Sequence, residues 1–160
     1  MKNFITIILI GLCFIFLFTT RIFSQGNTHN FDEANLTIWY PSTWNISEHG
    51  LHFLTPKDED LSFQFEVLNA PDFENALKIS VIELKAIFAK EPDLTINDVD
   101  INGMSAKEIN KAVGNKEALY YTIQTPENKY VRFFCITTSD ILSKHRAEIK
   151  KIMENLKSGS

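Results

Sequence analysis

From Leu61 to Leu68 the chain reads LSFQFEVL, with Leu61, Phe63, Phe65 and Val67 alternating with Ser62, Gln64 and Glu66. Period two marks a strand with one buried face, because successive side chains of a strand point to opposite sides. A few residues later the period changes. Phe73, Leu77, Val81, Leu84 and Phe88 recur at spacings of three and four, which lays them along one stripe of a helix. A chain that switches between these periods must bury sheet faces against helix stripes, so it is confined to layered folds that mix the two.

Hairpin signals narrow the choice. Leu36–Tyr40 reads as a first strand, and Pro41 turns the chain, since the residue before a proline is biased toward extended backbone. Trp44–Glu48 and Leu51–Thr55 flank His49-Gly50, a two-residue link that suits a tight hairpin. Val99 and Ile101 run into Asn102-Gly103, the strongest short hairpin signal, with Met104–Ala112 as the return strand. Ala118–Gln124 and Tyr130–Thr138 form a further pair. Asp72 is placed to cap the first helix, and Ser139 and Asp140 the last, whose inner face carries Leu142, Ile149, Ile152, Met153 and Leu156. The order ββββαββββα, with hairpins dominating the strand links, predicts an α+β fold: a largely antiparallel sheet flanked by helices in an α/β/α sandwich.

The first residues carry a different message. Lys2 precedes an apolar run from Phe4 to Phe18, after which polar residues follow and the segment ends in Ser24-Gln25. That layout is a secretory signal. The run is shorter than the roughly 20 residues of a spanning helix, which favours cleavage near Ser24 over retention as an anchor. The predicted division is a signal peptide over 1–24, a polar tether over 25–35, a single domain over 36–157 and a tail over 158–160. The formal charge is −4, and it becomes more negative once Lys2 and Arg21 leave. With no basic tract, binding to nucleic acid is not expected. Of the two cysteines only Cys135 lies beyond the leader, so no intrachain disulfide can form in the exported chain.

A first strand running into YPSTW, a later INGMSA hairpin after a first helix, then two long strands and a closing helix ending IMENLK resembles the PsbP-like family of the Mog/PsbP fold. Its DcrB-like bacterial branch also contains exported members. The resemblance spans Leu36 to Lys157 and rests on the order and spacing of short motifs. It implies a non-catalytic binding or assembly module with no catalytic residues to carry over.

Candidate chemistry is sparse. Asp98, Asp100 and Asn102, followed by Gly103, reproduce the opening of a calcium loop, where spaced oxygens wrap a hard cation. The bidentate glutamate due at the twelfth position is replaced by Ile109, so a strand and a turn explain these residues better. His49 and His52 could share a metal only on a helix, and Gly50 makes their segment a turn. Cys135 with His145 would need an accessible, electropositive thiol, yet Cys135 lies in the apolar run RFFCIT. No nucleotide or cofactor fingerprint is present, so no cofactor is expected. Pro41, Trp44 and Gly103 read as structural, with Trp44 a core anchor whose N–H would meet corner backbone carbonyls. Trp39 falls on the outer side by strand alternation, as an exposed binding aromatic. The functional expectation is an exported module, periplasmic or secreted, that engages another envelope protein without a stable membrane span. The alternative is a carrier of a small apolar ligand or lipid.

Overall fold

A computed structural model of the chain describes residues 26–47, 52–88 and 94–159. The expected leader and the His49-Gly50 turn lie outside them. Within them, in chain order, come β1 (Gly26–Phe31), a 3-10 turn (Asp32–Ala34), β2 (Leu36–Pro41), β3 (Trp44–Ser47), β4 (His52–Pro56) and β5 (Phe63–Leu68). There follow α1 (Phe73–Ile87), β6 (Thr95–Ile101), β7 (Met104–Val113), β8 (Lys116–Gln124), β9 (Tyr130–Thr138), α2 (Ser139–Glu154) and β10 (Lys157–Ser158). Seven strands form one sheet in the order β3-β4-β5-β9-β8-β7-β6, and β1-β2-β10 form a second. Every pairing is antiparallel. The fold is α+β, as expected from the order of periods.

The layers follow from the faces of β8 and β9. Leu119, Tyr121, Ile123, Phe133 and Cys135 point to one side, where they pack with Leu142, Ile149 and Ile152 of α2 and with Phe31 and Ile38 of the small sheet. Ala118 and Tyr120 point to the other, against Leu84 and Phe88. The larger core is aromatic at its centre, with Phe65 and Phe133 stacked at 5.4 Å and Phe31 edge-on to Phe65 at 5.1 Å.

Helix α1 begins as the sequence predicts: the Asp72 carboxylate accepts the Asn75 backbone N–H at 2.8 Å. That bond also holds the Asp72 carboxyl below its usual range. The most buried line of α1 is Ala76, Ser80 and Leu84, one residue round from the predicted apolar stripe. Small side chains there let the helix axis approach the sheet, leaving Phe73, Leu77 and Val81 as half-buried flanks. Ser80 Oγ lies 3.0 Å from Thr122 Oγ1, so the two buried hydroxyls satisfy each other. Helix α2 is capped by Thr138, whose hydroxyl accepts from the Ile141 N–H, rather than by Ser139 or Asp140.

Two parts of the predicted layout are corrected. Gly26–Phe31, expected within a polar tether, is a strand paired with β2 along its whole length. Its Asn27, Thr28 and Asn30 are solvated, so it carries no apolar period, and it is held by backbone bonds and the buried Phe31. Lys157 and Ser158 form β10 on the other side of β2, and the Gly159 N–H donates to the Asn35 carbonyl at 2.7 Å, so Ser158 and Gly159 are not a free tail.

Breaking the Ser80–Thr122 contact from one side strands a buried hydroxyl. Ser80→Ala and Thr122→Val are each expected to lower unfolding free energy by about 1–3 kcal/mol. The double variant should lose less than the two together, as read from urea denaturation.

Candidate functional site

The corner holding both tryptophans is structural on one side and covered on the other. Trp44 is buried, and its Nε1–H donates to Glu148 Oε2 of α2 at 3.1 Å. The predicted corner carbonyls are replaced by this carboxylate, which also takes His145 Nδ1 at 2.8 Å, while the imidazole stands edge-on to the indole at 5.7 Å. Pro41 closes β2, and Lys57 holds the following turn through the Thr43 and Ser42 carbonyls. Trp39, expected to be exposed, is half-buried. Gly26 lies flat on its indole, where any Cβ would overlap the ring, and Lys151 Nζ sits 4.8 Å from the ring centroid. Strand β1 supplies that cover, so Trp39 is withdrawn as a free binding aromatic.

The calcium-like residues each hold a structural contact. Asn102 (φ 52°) and Gly103 (φ 82°) make the hairpin turn, a pair of left-handed conformations that Asn-Gly suits. Asp100 Oδ1 accepts the Gly103 N–H at 3.0 Å, and Asp98 pairs with Lys107 of β7. Asn102 Nδ2 donates to the Glu154 and Leu156 carbonyls at 2.9 and 2.7 Å, which clips the hairpin tip to the end of α2. The Glu154 carbonyl is among the orphaned acceptors of the helix C-terminus and Leu156 follows just beyond its cap, so the motif closes the end of a helix. Among the described residues no group of three or more metal-ligating side chains converges. His52 packs against Phe31 and Phe65 at 5.0 and 5.4 Å, and His49 lies outside the described residues.

The β6–β7 hairpin nevertheless presents an exposed polar surface. Among the described residues, strand β6 ends the seven-stranded sheet and pairs with β7 alone; Thr95 to Asp98 and Asp100 are exposed. One cleft, of about 300 Å³, lies between β6 and α2, lined by Val99, Glu108, Tyr121, Lys150, Met153 and Glu154. Burial, and then the neighbouring Glu108 carboxylate, push the Tyr121 phenol far above its ordinary range, so it stays protonated and hydrogen-bonded to Glu108. A second cleft, of about 320 Å³, lies on the opposite face of β6 beside Phe73, Asp98, Asp100, Ser105 and Ala106.

One charged network was missed by the sequence. Arg132 of β9 is 5% exposed in the sheet face under α1. It bonds Glu66 of β5, lies 2.6 Å from Glu83 of α1 through Nη1, and stacks over Phe134 at 4.5 Å. Glu83 also accepts the Tyr120 hydroxyl at 3.0 Å. Register sets Glu66, Arg132, Thr122, Lys107 and Asp98 in one row across five strands, a polar seam fixing how α1 sits. Cys135 is buried on the other face, and loss of solvation pushes its thiol up to about 12.

No protein-family model matches the chain, and no curated protein matches it by sequence. Solved structures do match its fold. Cyanobacterial PsbP (CyanoP) from Synechocystis sp. PCC 6803 superposes with a TM-score of 0.58 at 14% identity, over 84% of this chain and 93% of that one. A protein from Bacteroides thetaiotaomicron superposes with a TM-score of 0.55 at 14% identity, over 85% of this chain and 49% of that one. The chain therefore spans about half the length of the Bacteroides protein. The fold is PsbP-like.

Two measurements check this description. Because Cys135 is buried and that burial pushes its thiol well up, Ellman's reagent at pH 8 should leave it unreacted until denaturant is added. Arg132→Ala should destabilise the fold by about 3 kcal/mol in urea melts, since it leaves Glu66 and Glu83 without their cation.

Proposed function

We propose that this PsbP-like fold serves an exported, non-catalytic binding or assembly module. The leader-like start supports export, and among the described residues no helix is long and apolar enough to cross a membrane. Candidate polar groups take structural roles: His145 with Glu148 holds Trp44, Arg132 seats α1, and Asn102 caps α2.

The observation that carries the reading is the edge of β6, unpaired among the described residues and lying between two clefts. A long exposed edge strand presents unpaired backbone donors and acceptors, which natural folds cover, charge or use. The clefts mix apolar groups with Asp100, Glu108, Lys150 and Glu154, a lining that suits a polypeptide better than a lipid or another small apolar ligand.

In-cell photocrosslinking tests this. With the crosslinker at Asn97 or Asp100, reproducible capture of an envelope protein is expected. Capture from no position on the surface, together with lipid co-purifying in native mass spectrometry, would favour the carrier instead.

A further inference from the structure

We propose that β6 accepts an added strand, namely an extended, basic segment of a partner polypeptide. The proposal rests on the binding-module reading and names the chemistry of the partner at that site.

The hairpin register decides which backbone groups are available. A two-residue turn makes Ile101 and Met104 a hydrogen-bonded pair, and alternation then bonds Val99 to Ala106, Asn97 to Glu108 and Thr95 to Asn110. The N–H and C=O groups of Ile96, Asp98 and Asp100 consequently point away from β7, out of the sheet. Among the described residues, none of the backbone bonds formed outside the strands involves these three. They are exposed on one seven-residue strand, whereas the opposite edge, β3, has four residues and a buried Trp44.

An incoming strand would pair with these three residues and alternate its side chains across the two faces. Those opposite Asp98 and Asp100 would lie on the α1 side, at the second cleft. The residues between them would lie over Val99 on the α2 side, at the first cleft, against Met153 and Tyr121. Both faces are therefore ready for an alternating sequence.

Charge chooses the partner. The two clefts gather Asp98, Asp100, Glu108 and Glu154 against Lys150, with Lys107 across the ladder from Asp98, in a chain that is already acidic. Lys107 answers Asp98, and Lys150 Nζ lies 3.6 Å from Glu154, so the surplus at the edge is negative. Pairing with a second copy would set Asp98 and Asp100 of one β6 against those of the other, and like charges placed opposite destabilise a ladder. A segment with lysine or arginine at alternate positions meets the same carboxylates with opposite sign.

The test uses the isotope-labelled protein purified from its host and an octapeptide alternating lysine and valine. Saturable amide shifts centred on Ile96, Asp98 and Asp100 are expected, with slowed exchange of those amides. Ile96→Pro removes an outward N–H without touching the β7 ladder, so it should abolish binding while leaving the melting temperature unchanged. Asp98→Asn with Asp100→Asn keeps the Gly103 contact and should weaken binding about tenfold. A glutamate–valine octapeptide should not bind. Equal binding of both peptides, undiminished binding to Ile96→Pro, or concentration-dependent dimers protecting the same amides would overturn the proposal. So would shifts confined to Ile79, Ile82 and Ile87, the exposed large apolar residues of α1. A partner crosslinked only from a surface other than β6 would overturn the edge proposal and leave the binding-module reading standing.

Discussion

Burial of β8 on both faces is the constraint from which the rest of the structure follows. From Glu117 to Ile123 every residue of that strand is buried, so two layers must cover it. One is α1, brought close by Ala76 and Ser80 and anchored by Glu83 on Arg132. The other is α2 with the small sheet, joined through Phe31, Ile38, Leu142 and Ile149. An interior packed this way leaves the sheet little freedom except at its edges.

The polar contacts serve that arrangement. Glu148 holds the indole of Trp44 and the imidazole of His145 together, which locks β3 to α2. Asn102 reaches the Glu154 carbonyl at the end of α2 and the Leu156 carbonyl just beyond it, and so ties the β6–β7 hairpin to the same helix. The hairpin is thus fixed along its inner side and at its tip while, among the described residues, its outer side stays open. A rigid edge is pre-organised for pairing, because little conformational freedom is lost when a strand docks on it.

Much of this was legible in the residues. Alternation in LSFQFEVL, the Asn102-Gly103 turn, the Asp72 cap and the final helix all have local causes, and the structure reproduces them. What escaped depends on contacts far along the chain. Gly26–Phe31 has no apolar period, and only pairing with β2 makes it a strand; without it Trp39 looked exposed. Arg132 sits in an apolar run, and its partners are Glu66, 66 residues away on β5, and Glu83 of α1. The calcium-like spacing of Asp98, Asp100 and Asn102 was a true signal of a turn, while the helix it caps could be found only in three dimensions.

The claim with most at stake is that β6 is ordered along one side and open along the other. Residue-resolved amide hydrogen exchange on the isolated protein at low concentration tests it directly. The amides of Asn97, Val99 and Ile101 should be protected by β7, with Ile96, Asp98 and Asp100 exchanging near the rate of an open chain. Uniform protection along β6 would mean its outer edge is already covered, and uniform fast exchange would mean the hairpin is not formed; either result would contradict the open edge.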